Sequence, residues 1–189
     1  AVNKHIKRLV DQDAILVHGT TRNKTYILRP LQTWDHSYVL DGKLAEDTVW
    51  RTDISRFMSG LPDNVVDIWQ YGFTEMFNNA IDHSSGTVVH VQINKMAKTT
   101  DVAILDDGEG IFRKIQRELG LDDERHAVLE LAKGKLTTDP RKHTGEGIFF
   151  TSRMFDEFVV LSGNVYFSHK HNQVEDWILE YQGEKAGTH

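Results

Sequence analysis

Apolar and polar positions alternate in two regimes along the chain. At its start Ile6, Leu9 and Val10 recur at three-to-four spacing with Lys4, Lys7 and Arg8 between them, so residues 3–10 read as a short amphipathic helix. Two short apolar runs follow, 14–17 and 24–28. They flank the tip His18-Gly19-Thr20-Thr21-Arg22-Asn23, a strand–turn–strand signature. Arg29-Pro30 marks a boundary, and residues 31–62 read as a connector with Trp34, Trp50 and Phe57 as packing anchors. Within it, 44–58 has a helical pattern that Gly60-Leu61-Pro62 stops. From Asp63 onward the pattern is α/β. A long helix spans 64–83, strands 87–93 and 101–105, and helices 111–119, 123–133 and 146–156. Strands return at 157–161, 164–168 and 177–181.

Composition narrows this picture. The 189 residues are 39% hydrophobic and 26% charged, which suits one main folded domain with a small appendage. No cysteine is present, which excludes a disulfide scaffold and any cysteine-ligated metal. No apolar run approaches the roughly 20 residues of a membrane helix and no signal peptide opens the chain, so a soluble cytoplasmic protein without a membrane partner is expected. The net charge of −6 is uneven. Residues 1–30 carry six basic side chains against Asp11 and Asp13, a net of +4, and the remainder carries −10. Such a basic end fits either a polyanionic partner or an ordinary solvated surface.

Three clusters carry candidate chemistry. In Thr74-Glu75-Met76-Phe77-Asn78-Asn79-Ala80-Ile81-Asp82-His83, a helix puts Glu75, Asn79 and His83 on one face, while Phe73, Phe77, Ala80 and Ile81 face the core. A carboxylate and a carboxamide one turn apart suit a hydrated metal; a plain polar helix face explains them too. Next, an apolar strand runs into Asp106-Asp107-Gly108-Glu109-Gly110-Ile111. An ionised carboxylate at a strand end only accepts hydrogen bonds, and the glycines let a ligand approach the backbone; the rival readings are an acidic turn and a calcium loop, whose closing Glu is missing. Last, Thr144-Gly145-Glu146-Gly147-Ile148 opens a helix, where free N–H groups can seat a phosphate. The mostly polar stretch from Phe112 to Lys142 reads as a lid. His169-Lys170-His171 reads as an exposed turn rather than a metal site.

In this order, the three clusters resemble the ATP-binding domain of the GHKL superfamily over about residues 63–189. The shared features are the Glu-x3-Asn of Glu75 and Asn79, the Asp-x-Gly-x-Gly of Asp106, Gly108 and Gly110, and the Gly-x-Gly of Gly145 and Gly147. The resemblance implies a Bergerat-type α/β two-layer sandwich, a mixed sheet with helices on one face. It also implies ATP and Mg²⁺ as ligands. Asn79 would hold the metal and Glu75 would activate a water or acceptor hydroxyl. Asp106 would take the adenine amine, with Gly108, Gly110 and Ile111 around base and ribose. Thr144, Gly145, Glu146, Gly147 and Ile148 would cradle the phosphates, with His83 alongside. Family members carry a Gly-Thr before the last strand, with the Thr near the nucleotide, which would make Thr188 a nucleotide-binding residue. Gly187-Thr188 could be that pair, but with His189 next the closing strand is expected to be absent, or the match accidental. His36 lacks the companions of a phosphoacceptor histidine and reads as a surface residue.

Residues 1–30 resemble the last part of a winged helix-turn-helix, a recognition helix and wing whose DNA contacts would be Lys4, Lys7, Arg8, Arg22 and Lys24. The two helices that precede it in that motif are not in the sequence, so this remnant is expected to lean on the main domain or a second copy. The expected protein is a DNA-linked regulator using Mg-ATP and slow hydrolysis as a switch. The alternatives are an anti-sigma-type serine/threonine kinase and a transcription regulator with ATP only as effector. A regulatory protein and a homodimer complete the expected partners.

Overall fold

The computed structural model describes residues 2–132 and 147–189. Contacts divide the chain into two units, one of residues 1–35 with 92–103, the other of 36–91 with 104–189. The expected Thr144, Gly145 and Glu146 lie outside the described residues.

In the first unit α1 (Val2–Asp11) leads to a hairpin of β1 (Ile15–His18) and β2 (Thr25–Leu28), paired antiparallel from Ile15 opposite Leu28 to His18 opposite Thr25. Gly19 turns the chain at φ +83°, and Arg29 bonds Asp13 at 2.7 Å. The helix buries no side chain. Helix and hairpin thus form where the apolar spacing places them.

β3 (Gln32–Val39), β4 (Val88–Lys95) and β5 (Thr100–Asp106) hydrogen-bond in the order β3-β4-β5. β3 forms inside the stretch that reads as a connector. Its run Gln-Thr-Trp-Asp-His-Ser-Tyr-Val lacks a clear apolar alternation, which a charged, polar edge strand does not need. His36 is exposed on it, edge-on to Tyr38 at 4.7 Å. The strand pairs are antiparallel: Leu31 N–H reaches the Lys95 carbonyl while Leu40 N–H reaches that of Thr87, and β4 joins β5 through only four residues. The expectation of one mixed sheet is therefore corrected. The described strands fall in three groups, β1-β2, β3-β4-β5 and β6-β7, each antiparallel.

The second unit holds the main core. A helical stretch covers α2 (Glu46–Val49), a π turn over Trp50–Ile54 and a 3₁₀ turn over Ser55–Met58. It buries Val49, Trp50, Ile54, Phe57 and Met58. The long α3 (Asp63–His83) starts behind Pro62, whose carbonyl accepts from Val65 and Val66, and Asp63 suits its positive end. Its inner stripe stacks Phe73 on Phe77 at 5.2 Å, with Tyr38 edge-on to Phe77 at 5.5 Å. Gly72 has no room for a methyl group, which would lie 2.7 Å from Cζ of the Phe155 ring.

α4 (Ile111–Leu119) and α5 (Glu124–Ala132) pack on β6 (Glu157–Lys170). Phe112, Ile115, Val128, Val160, Val165 and Phe167 form one buried cluster there. This corrects the lid: its first two thirds are core helices, since Phe112 and Val128 are fully buried. Its remainder lies outside the described residues. α6 (Gly147–Met154) packs against α3 and β6. The two strands expected at 157–161 and 164–168 are one. Gly163, at φ +59°, makes a bulge where the register with β7 (Trp177–Thr188) shifts.

Candidate nucleotide site

The residues around Asp106 converge because glycines let three backbone segments touch. Gly108 sits on the carbonyl of Ser84, just past the end of α3, where a Cβ would lie 2.6 Å from the carbonyl carbon. Gly187, at φ +75°, sits on Asp106, where a Cβ would lie 2.6 Å from the Asp106 carbonyl carbon and 3.0 Å from Oδ1. Hydrogen bonds close the same ring. Gly108 N–H donates to Asp106 Oδ1 at 2.9 Å, Gly187 N–H to the Gly108 carbonyl at 2.8 Å, and Glu109 N–H to the Ser84 carbonyl at 3.0 Å. β7 runs to Thr188, whose hydroxyl accepts from Ile111 N–H at 2.9 Å and whose own N–H donates to Asp106. Thr188 thus caps α4, which starts from Gly110 at φ +89°.

The two adjacent aspartates differ in character. Asp106 is buried, and burial pushes its carboxyl above the ordinary value near 3.8 even though the Gly108 and Thr188 amides pull it down. Asp107 is exposed and held below that value. It accepts from the Thr87 hydroxyl at 2.6 Å, Thr87 N–H at 2.7 Å and Val88 N–H at 2.9 Å, so it pins the start of β4 to the end of β5. Sequence reasoning left Asp107 without a role. The signal was a Thr at a strand start opposite an Asp at a neighbouring strand end, legible only once the two strands are known to pair.

α3 connects this ring to α6. At its end Lys114 Nζ binds the carbonyl of His83 at 3.0 Å, satisfying one of the last helix carbonyls. His83 itself is half-buried. Two turns earlier, Glu75 rests on Gly147, where a Cβ would lie 3.2 Å from the carboxyl carbon. Asn79 is half-buried between them, about 6 Å along the axis from each. Ile148 packs against the buried cluster.

A magnesium nucleotide fits this donor set on three counts. An ionised Asp106 has lone pairs left after its two amide partners, which is what an exocyclic amine needs. Ser162 Oγ is buried without a partner, 2.6 Å from where a Cβ of Gly110 would be, so an unsatisfied polar atom borders the same place. Asn79 and Glu75 supply neutral and charged oxygens of the type magnesium takes.

The sequence-derived DNA contacts Lys4, Lys7, Arg8, Arg22 and Lys24 are all exposed on α1 and the hairpin tip, within the first unit. His169 is not in an exposed turn. It is buried on β6, bonded through Nδ1 to Asp176 at 2.6 Å, with Arg153 in contact with both. Arg153 holds Asp176 in a two-pronged pair at 2.7 and 3.0 Å, fixing the last turn of α6. Among the described residues no cluster of metal-binding side chains occurs.

The family model of a histidine kinase-like ATPase domain matches residues 44–168, about two thirds of the chain. The chain belongs to that family. No curated protein and no solved structure matches it. The matched span includes Glu75, Asn79 and Asp106 but stops at Ser168, short of the Gly187-Thr188 pair that the fold brings to Asp106.

Asp107→Ala removes an acceptor of three hydrogen bonds and should lower stability by about 1 kcal/mol, solvent screening included, or about 2–4 °C in Tm. Because the folded state depresses this carboxyl, its contribution is present above the ordinary pKa and lost as pH falls through the lowered one. Denaturation at pH 7 and below pH 3 should show the gap between wild type and variant closing in acid. A gap that stays constant rejects the strand-pinning role.

Proposed function

We propose that this chain is the ATP-binding part of a regulatory protein in which Mg-ATP binding and slow hydrolysis act as a conformational switch. The observation that carries the reading is the buried Asp106, tied to Gly108 and Thr188 and bordered by glycines without room for side chains. Asp106 accepts the adenine amine. Gly108, Gly110 and Ile111 line the base and ribose, and Thr188 keeps the strand end and α4 in place. Asn79 offers its amide oxygen to the metal. Gly147 and Ile148, with Thr144, Gly145 and Glu146, form the phosphate seat, and His83 lies at the α3 end of the same face. When bound, ATP with Mg²⁺ supplies a terminal phosphoryl group whose charge the metal offsets. Glu75 orients and deprotonates the attacking group.

A second reading is kinase transfer to a serine or threonine of a partner protein, of the anti-sigma type. It is supported by the position of His36, exposed on a strand rather than on a helix of the phosphoacceptor kind. The exposed basic residues of α1 and the hairpin add a duplex-DNA contact to either reading, as a winged-helix remnant would. The domain division we propose is 1–30, 31–62 and 63–189, with a cytoplasmic location and a homodimer as the working assembly.

Mg-ATP should raise Tm by about 5–10 °C at 100 times the dissociation constant, equivalent to about 2.7 kcal/mol, while GTP should not, because Asp106 would meet a carbonyl. Equal shifts with both nucleotides exclude the adenine role. Glu75→Ala should bind ATP but release no labelled phosphate, whereas Asp106→Asn should lose binding at least tenfold. Full hydrolysis by Glu75→Ala would remove Glu75 from the chemistry, and label on a serine or threonine of a partner would select the kinase reading. Binding of duplex DNA should weaken steeply between 50 and 200 mM salt, about one power of the salt concentration per lysine or arginine engaged. Salt-independent binding, or none, removes the DNA contact.

A further inference from the structure

His169 is a buried titratable side chain that the chemistry proposed above does not use. Two partners of opposite kind meet it. Asp176 Oδ1 lies 2.6 Å from Nδ1, while Arg153 Nη1 touches Nδ1 and lies 3.3 Å from Nε2. A guanidinium only donates and an ionised carboxylate only accepts. One arrangement satisfies both. It is a neutral ring with its proton on Nδ1, donated to Asp176, and its lone pair on Nε2 for Arg153. Arg153 also grips Asp176, Nη1 to Oδ1 at 3.0 Å and Nη2 to Oδ2 at 2.7 Å, so each of the three side chains holds the other two.

The surrounding charges are engaged elsewhere. Lys170, next to His169 on β6, pairs with Glu157. On α4 and α5, Arg113 pairs with Glu124 and Arg125 with Glu180. Asp156, His171 and Glu175, close in sequence, are exposed, and Arg153 is the charged residue of the described α6. Arg153 first, then His169, hold the Asp176 carboxyl below its ordinary value of 3.8 against burial. It therefore stays ionised over the range in which imidazoles titrate, about pH 5 to 8.

We propose that this triangle is a proton-operated latch on the last turn of α6, closed while His169 is neutral and opened when His169 takes a second proton. That proton goes to Nε2 and removes the acceptor facing Arg153. It also sets an imidazolium against a guanidinium. Nη1, which shares Oδ1 with His169, gives way, and Arg153 is left on Asp176 by Nη2 alone. α6 packs against α3 and β6, so in acid its last turn loosens from the strand. The latch needs no ligand and stands apart from the nucleotide reading.

The test uses the full chain without ligand. Nitrogen-15 spectra of the imidazoles at about pH 8 should show His169 with its proton on Nδ1; a proton on Nε2 instead overturns the latch. Amide hydrogen exchange at Ser152, Arg153 and Met154, corrected for intrinsic rate, should be about tenfold faster at about pH 5 than at about pH 8. In His169→Asn the side-chain amide keeps a donor for Asp176 and takes no proton, so exchange there should not change with pH. Equal exchange at both pH values in the wild type overturns the latch, and so does the same acid response in His169→Asn. The two wild-type measurements decide the matter even where the variant fails to fold.

Discussion

Everything at the candidate site depends on close backbone approach around Asp106. Gly108 lies on Ser84, Gly187 lies on Asp106, and the Gly187 amide reaches the Gly108 carbonyl. A methyl group at either glycine would fall inside a backbone atom, so a side chain there would push apart the end of α3, the end of β5 and the end of β7. Once these meet, Asp106 receives its two amides, Thr188 caps α4, and the α3 face bearing Glu75 and Asn79 is fixed relative to Asp106 through the Ser84 carbonyl.

The neighbouring aspartates show how one strand end divides its labour. Asp107 lies in solvent with three donors and works as a tie. Asp106 is buried with two, and burial outweighs them, so its ionised form costs the fold stability at neutral pH. A charge kept buried against that cost is one that a cationic or amine-bearing ligand can relieve, which is a reason to assign recognition to Asp106 rather than to the more conspicuous Asp107.

Much of the fold was legible in the sequence because its helices are amphipathic: α3, α4 and α5 begin and end within a residue or so of where the apolar spacing puts them. The missed features share a physical cause. β3 is a polar edge strand with no apolar alternation. β6 reads as two strands because Gly163 breaks the pattern, although a bulge lets the strand continue. The lid was inferred from polarity between two glycine motifs, yet Phe112, Ile115 and Val128 are enough to sink those helices into the core. At the site, the Glu-x3-Asn and Asp-x-Gly-x-Gly spacings are local and visible. The roles of Thr188, Asp107 and Ser162 come from pairings across the chain, which no local spacing encodes.

The bond from Ile111 to the Thr188 hydroxyl spans 77 residues. Contacts so distant in sequence pay a chain-closure entropy before they return anything, and they form late. The ring around Asp106 is therefore a keystone laid last: a chain still emerging from synthesis would hold Asp106 and Gly108 before the strand that closes on them. On the nucleotide reading proposed above, ligand affinity then doubles as a readout of finished folding, and fraying of β7 alone silences the site.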